Sequence, residues 1–409
     1  MERREFLTVA GGALVMGRMG GSADGRTAAR APDPPIRQSA QQATLPPEVF
    51  YRRQERARQE MKHRKLEMAI ATPGTNYSYL TGYQPGRSER LIALLLPAVG
   101  DPAIVCPAFE VERIKRQSAV AEILGWEERD DPYTLVRDTA RRLRGRGNAK
   151  VALEPTTDYH TFRRLAGALS GWAWTDGTPL WERLRVIKYP EEIALIRRAV
   201  EITEAAIAAT FTQLAAGLTE REVARLLSRE MEQRGAPGGG LVQFGAASAV
   251  PHGGPGDAPL ARDTVVLIDA GCRVGGYTSD VTRTIWFGDA PSDEFRRVFN
   301  LVHDAQTAAM TLAAPLRTQC QQLDQAARQV ITAAGLGAAF THRLGHGMGM
   351  DGHEAPYLVE GNETIIEPGM VFTIEPGIYQ VGAFGVRIED DCLVTETGLE
   401  ILSHRPSKL

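Results

Sequence analysis

Read for the spacing of apolar and polar positions, the chain falls into two regimes that meet near Arg185. In the first, short apolar runs alternate with amphipathic stretches. Pro46 to about Lys65 is charged with helical spacing, Leu66–Ala71 reads as a strand, and Thr72-Pro73-Gly74-Thr75-Asn76 reads as a turn. Leu91–Leu96 and Ala103–Val105 are apolar runs bounded by Pro and Gly, which predicts buried strands. Val111–Val120 and Tyr133–Leu143 have helical spacing, Lys150–Leu153 is a further strand and Tyr159–Leu169 a further helix, and Trp172–Trp181 leads out of the region. The alternation predicts an α/β domain with a mainly parallel sheet.

Helices and strands come in separate blocks in the second regime. Ile193, Ile196, Val200, Ile207 and Phe211 mark the apolar face of a helix over Glu191–Leu214. Thr219-Glu220-Arg221-Glu222 fits a capping box, opening a second helix that closes near Gly235. Pro237–Gly256 reads as a Gly-rich loop carrying His252. Thr264–Ala270 and Tyr277–Phe287 read as strands of a hairpin turning on Gly275-Gly276. Ser292–Leu312 and Leu323–Ala334 return to helical spacing, and Met370–Glu375 and Gly385–Thr395 are strand-like. This half is therefore α+β. Helix pairs followed by strand pairs, over about 185–290 and again over 291–400, suggest an internal duplication.

Composition narrows the class. With 409 residues, 43% hydrophobic and 24% charged, the chain has the make-up of a soluble protein with more than one core. A net charge of −3 offers no electrostatic basis for nucleic acid or an anionic membrane as partner. Cys106, Cys272, Cys320 and Cys392 form no Cys-x-x-Cys, so free buried thiols are expected rather than a thiolate zinc site or a disulfide framework. At the start, Arg3-Arg4 precedes a short apolar run from Val9 to Met16 and a Gly/Ala/Pro/Gln/Ser-rich stretch to about residue 45. This resembles a twin-arginine export signal with its linker, too short to span a bilayer. It predicts a periplasmic or extracellular protein, cytoplasmic if the signal does not function. The closing Ser407-Lys408-Leu409 has the form of a peroxisomal address and, beside a bacterial-type signal, reads as coincidence.

Candidate chemistry lies in the second half. His342–Glu354 holds three histidines and four glycines in thirteen positions. Gly345 and Gly347 flank His346, where they would allow positive φ and a close approach of backbone to whatever the imidazole touches. Four acids interrupt apolar strands: Asp269 after Val265-Val266-Leu267-Ile268, Asp280 in Thr278-Ser279-Asp280, Glu375 after Val371-Phe372-Thr373-Ile374, and Glu389 after Val386-Arg387-Ile388. A carboxylate buried without a partner costs several kcal/mol. Arg283 and Arg387 could each satisfy one acid. Four acids with a Gly-flanked histidine are explained more simply by a shared metal site. Their charge suits two divalent ions, and the oxygen-rich set favours Mn²⁺, with Co²⁺, Fe²⁺ or Zn²⁺ left open.

These residues resemble the pita-bread metallopeptidases, the family of aminopeptidase P and prolidase, from about Arg185 to Leu402. The motifs are Pro251-His252, Ile268-Asp269-Ala270-Gly271, Thr278-Ser279-Asp280, Gly345-His346-Gly347, His353-Glu354-Ala355-Pro356, Thr373-Ile374-Glu375-Pro376-Gly377 and Val386-Arg387-Ile388-Glu389-Asp390, in that order. The first half resembles the creatinase-like N-terminal domain through Asn76–Gly82, Pro107–Glu110 and Arg185–Lys188. Behind the export signal and linker read over 1–45, the resemblance implies an α/β N-terminal domain over 46–184 and an α+β pita-bread catalytic domain over 185–409. It makes Asp269, Asp280, His346, Glu375 and Glu389 the ligands of two ions, with Asp280 and Glu389 bridging. Glu375 would also be the general base. His252 and His353 would donate hydrogen bonds to the substrate carbonyl and the tetrahedral intermediate, His342 and Tyr379 would line the substrate site, and Arg387 would orient Glu389 or bind substrate.

The implied activity is Xaa-Pro aminopeptidase action on peptides with proline second, in a homo-oligomer without membrane anchor. Xaa-Pro dipeptidase (prolidase) action is the alternative. A creatinase-like amidohydrolase and a non-catalytic binding module fit less well, because every expected ligand is present.

Overall fold

The computed structural model describes residues 45–86, 88–145, 147–251, 253–254 and 256–409; the arginine pair of the expected export signal and His252 lie outside them. The chain divides into two compact units. One holds the described residues up to Glu191 together with Gly349–Ala355, and the other holds Glu192–Met348 and Pro356–Leu409.

The N-terminal unit runs α1 (Pro47–His63), β1 (Met68–Ala71), α2 (Thr75–Thr81), β2 (Ala93–Pro97), β3 (Ala103–Pro107), α3 (Val111–Gln117), β4 (Glu122–Trp126), α4 (Pro132–Arg144), β5 (Lys150–Leu153), α5 (Tyr159–Ala168), β6 (Ala173–Asp176) and α6 (Thr178–Val186). Its strands form one sheet in the order β4-β3-β2-β1-β5-β6. Alternate residues of β1 feed opposite faces: Ala69 and Ala71 join a core with α1, α2 and α6, while Met68 and Ile70 join one with α4 and α5. Burial on both faces is why these strands are continuous apolar runs.

The sheet is mixed rather than mainly parallel. β1/β5, β5/β6 and β3/β4 are parallel, but β1/β2 and β2/β3 are antiparallel. The short connection from Pro97 to Ala103 cannot hold a crossover, which forces β2 and β3 into a hairpin. Four elements escape the apolar pattern, β6 and α6 among them, in the stretch expected only to lead out of the region. β4 is a half-buried edge strand, and α2 starts at Thr75, inside the stretch expected to be a turn.

In the C-terminal unit the order is α7 (Pro190–Thr212), α8 (Glu220–Gln233), β7 (Gly238–Phe244), β8 (Thr264–Val274), β9 (Tyr277–Thr278) and β10 (Val281–Phe287). It continues through α9 (Asp293–Leu312), α10 (Cys320–Ala333), β11 (Gly345–Gly347), β12 (Glu354–Leu358), β13 (Val371–Ile374), β14 (Gly377–Gln380), β15 (Phe384–Arg387), β16 (Asp390–Val394) and β17 (Leu399–Ile401). The two halves repeat one another in more than element order. The second helix of each pair opens with a capping box, Thr219 with Glu222 in α8 and Gln319 with Gln322 in α10. Each N-cap also forms an isolated bridge to a later residue, Thr219 to Pro259 and Gln319 to Ile365. All four cysteines are buried and free, as their spacing predicts.

Glycines decide how closely these strands approach. The expected loop at Pro237–Gly256 begins instead as strand β7, whose Gly238-Gly239-Gly240 run lies against β8. A Cβ on Gly240 would stand 2.2 Å from the Asp269 carbonyl oxygen. Gly is needed there for close contact rather than for a turn. Gly275 and Gly276 do turn the β8–β9 hairpin, with φ of 54° and 89°. We expect Gly240→Ala to lower stability by ~1–3 kcal/mol through overpacking. Chemical denaturation would show it as a lower midpoint, and an unchanged midpoint would mean that the two strands can separate without cost.

Candidate metal centre

Asp269 lies within β8, opposite Thr282 of β10. The other three acids stand where strand pairing stops. Asp280 sits in the break between β9 and β10, Glu375 follows β13, and Glu389 separates β15 from β16. Tyr277–Phe287 and Gly385–Thr395, each expected as one strand, are interrupted at Asp280 and at Glu389. The break at Asp280 has a cause in the motif beside Asp269. A Cβ on Gly271 would stand 2.2 Å from the Ser279 carbonyl oxygen, so Gly271 admits the close approach of the backbone just before Asp280.

His346 is the middle residue of β11 and is buried. Its neighbours Gly345 and Gly347 do not take positive φ, contrary to expectation. Gly345 is required for close approach instead, since a Cβ there would stand 2.0 Å from the Thr373 carbonyl oxygen. The imidazole Nδ1 faces the Gly347 carbonyl at 3.2 Å. Donation from Nδ1–H leaves Nε2 as a lone-pair donor, 3.3 Å from Glu375 Oε1 and 3.8 Å from Asp280 Oδ2.

Among the described residues of the C-terminal unit two groups of metal-capable atoms result, each with its atoms within 4.8 Å of one another: His346, Glu375 and Glu389, and Asp269, Asp280 and Glu389. Glu389 belongs to both. Burial, then the neighbouring carboxylates, raise Asp280 and Glu375 well above the usual carboxylate range. Glu389 is pushed up to about 7, first by burial and then by Asp269. Such a cluster is short of positive charge, and two divalent ions fit that deficit and the oxygen-rich donor set.

Side chains around the acids fix their orientation. Thr282 Oγ1 donates to Glu389 Oε2 at 2.5 Å, and the Asp280 amide donates to Asp391 Oδ2 at 3.0 Å. Arg387 is buried and donates to Asp269 Oδ2, Tyr379 Oη at 2.9 Å and Thr282 Oγ1 at 3.0 Å. It therefore orients Asp269 directly and reaches Glu389 only through Thr282. Tyr379, raised to about 12 chiefly by burial, keeps its proton and lies 2.8 Å from His342 Nε2. With Arg387 donating to the phenol oxygen, the Tyr379 hydroxyl donates to His342 Nε2. His342 Nδ1–H then donates to the Arg343 carbonyl at 2.7 Å.

Of the remaining expected site residues, His353 is exposed and lies in Gly349–Ala355, the segment that clusters with the N-terminal unit. His252 is outside the described residues. Sequence reasoning gave no role to Thr282, Asp390 or Asp391. Thr282 could have been found as the residue two positions beyond Asp280. The other two follow Glu389 but gain meaning only from partners distant in sequence, Arg283 for Asp390 and the Asp280 amide for Asp391.

The raised Glu389 fixes the sign of a pH effect. The folded, ion-free site holds a proton from the ordinary 4.5 up to about 7, where the unfolded chain has lost it. This stabilising contribution is complete below about 4.5 and is lost as pH rises through about 7. Chelated protein should lose on the order of a few kcal/mol of unfolding free energy across that window. Added divalent ions should abolish the loss. A flat pH profile of the chelated protein, by denaturant unfolding, would contradict the mutual repulsion described here.

Comparison with known proteins agrees with this geometry. Residues 194–396 match metallopeptidase family M24, and residues 53–187 match the creatinase/prolidase N-terminal domain. An uncharacterized peptidase of Staphylococcus aureus is 37% identical over 84% of this chain and 97% of its own length. The crystal structure of dipeptidase PepE from Mycobacterium ulcerans overlays with a TM-score of 0.84 at 34% identity, covering 90% of this chain and 99% of that one. An Xaa-Pro dipeptidase from Bacillus anthracis overlays with a TM-score of 0.79 at 30% identity, covering 88% and 99%. With a family match over the unit that holds the acids and near full-length similarity to peptidases, this chain belongs to metallopeptidase family M24, with a creatinase-type N-terminal domain ahead of a pita-bread hydrolase domain.

Proposed function

We propose that this protein is a two-ion exopeptidase that hydrolyses the bond between an N-terminal residue and a following proline. The observation that carries the reading is Glu389, shared by two donor groups that lie side by side. In this reading Asp269 would hold one ion, His346 and Glu375 would hold the other, and Asp280 and Glu389 would serve both. The 3.8 Å separation of Asp280 from His346 supports a bridging Asp280. Divalent ions held there, with Mn²⁺ the best match to the donors, supply Lewis acidity and a water acidic enough to react near neutral pH.

The chain's own groups do the rest. Glu375, raised by burial, is matched to accept a proton near neutrality and to return it to the leaving nitrogen. His252 and His353 donate hydrogen bonds to the scissile carbonyl and to the tetrahedral oxyanion. Arg387 holds Asp269 in place, while Tyr379 and His342 form a wall on which substrate can lie. Export through the Arg3-Arg4 signal and self-association into a homo-oligomer belong to the same reading.

Two forms of this activity are distinguished by substrate length. Our first choice is the aminopeptidase, which takes peptides longer than two residues; the choice turns on room in the cleft beyond the second residue. Similarity to structures named as dipeptidases supports the dipeptidase form.

Metal-stripped protein reloaded with Mn²⁺ should cleave an Xaa-Pro bond. Cleavage of Gly-Pro alone identifies the dipeptidase, and cleavage of a longer Xaa-Pro-Xaa peptide identifies the aminopeptidase. Failure on both, with two ions bound, would remove the proline reading. His346→Ala should lose one of two bound ion equivalents by elemental analysis and at least ~10²-fold in turnover; full ion content would dissociate His346 from the centre. Replacing Arg3-Arg4 by Lys-Lys should abolish export, and unchanged export would remove the twin-arginine reading.

A further inference from the structure

Seven residues from the second half of the sequence, Gly349–Ala355, fold with the N-terminal unit. Met350 packs against the core formed by α1, α2 and α6. The residues on either side of His353 are tied down separately. Glu354 is 3% exposed at its side chain and pairs at 3.0 Å with Lys188, itself 2% exposed. Its second oxygen lies 3.4 Å from Arg185 Nη2 and accepts from the Asp351 amide at 3.4 Å. Asp351 receives Arg185 Nη1 at 2.7 Å and the Thr75 hydroxyl at 2.6 Å.

Gly349 makes room for this arrangement. A Cβ there would stand 2.7 Å from Glu354 Oε1 and 3.1 Å from Lys188 Cε. Between these anchored neighbours, His353 is exposed.

We propose that Arg185 and Lys188 are positioning residues for His353: through Asp351 and Glu354 they fix the short segment that presents its imidazole. This rests on the role given to His353 above. A buried pair of opposite charges holds a backbone rigidly because neither partner can be released alone without leaving an uncompensated charge. A displacement of about 1 Å in a reacting group is enough to cost ~10²-fold in rate.

The test is kinetic non-additivity together with hydrogen exchange, on full-length metal-loaded enzyme. Lys188→Met should lower kcat by ~10²-fold with ion content unchanged. The Lys188→Met/His353→Ala double variant should be no slower than His353→Ala alone. Amides of Gly349–Ala355 should exchange at least ~10-fold faster in Lys188→Met, while those of β13 stay as in the parent.

Multiplicative losses in the double variant would overturn the coupling to His353. Unchanged exchange in the segment, or parental kcat, would overturn the clamp. If Lys188→Met does not fold, Gly349→Ala, which keeps both charges and wedges them apart, carries the same measurements. A parent enzyme that cleaves no Xaa-Pro peptide would remove the substrate reading, and the exchange measurement would still decide the clamp.

Discussion

Confinement of four carboxylates beside one imidazole is the constraint on which the C-terminal unit depends. Each acid alone could be neutralised by an arginine. Together they crowd within 4.8 Å groups that share Glu389, and the interior pushes their protonation upward. Among the described residues one buried cation, Arg387, touches the cluster, and of the four acids it bonds Asp269. A second layer is balanced apart from it. Asp390 takes Arg283 at 2.7 Å, Gln306 at 2.8 Å and Ser403 at 2.6 Å. The protein thus satisfies Asp390 from its own side chains and leaves the inner set short of positive charge, which is the electrostatic condition for holding cations.

Close backbone approach is how the fold brings these acids together. Gly240 lets β7 lie against Asp269, Gly271 admits the Ser279 carbonyl beside Asp280, and Gly345 lets β11 lie against Thr373. Gly377 lets the Tyr379 ring fold back, with a Cβ there meeting the phenol oxygen at 2.5 Å. In each case the missing side chain sits next to a residue of the site. The glycines of the motifs are therefore spacing devices, and a methyl group at any of them would move a ligand or its support.

The same unit shows a repeated plan, with paired helices, a capping box at each second helix and an N-cap bridge in each half. Each repeat contributes to the site. Asp269 and Asp280 come from the sheet of β7, β8, β9 and β10, and His346, Glu375 and Glu389 from the strands that follow α10. Two structurally similar halves, each bringing acids to a common seam, give a chemically natural route to a pair of cation positions.

Much of this was legible in the sequence because local physics carried it. Apolar runs marked the doubly buried strands β1, β2, β3 and β5. Helical spacing marked α7, α9 and α10, and Thr219 with Glu222 announced the start of α8. An acid at the end of an apolar run signals a buried carboxylate, so Asp269, Glu375 and Glu389 stood out before any fold was known. What sequence alone could not decide depended on partners distant in the chain. The Gly-rich stretch before His252 became strand β7 because β8 lies against it. Gly345 proved necessary for contact with Thr373, a carbonyl 28 residues away, rather than for an unusual turn. Arg387 found Asp269 and Tyr379, and the segment around His353 joined the N-terminal unit. Periodicity reports which face of an element is buried; only the tertiary structure decides what it is buried against, and the chemistry of this site lies in that choice.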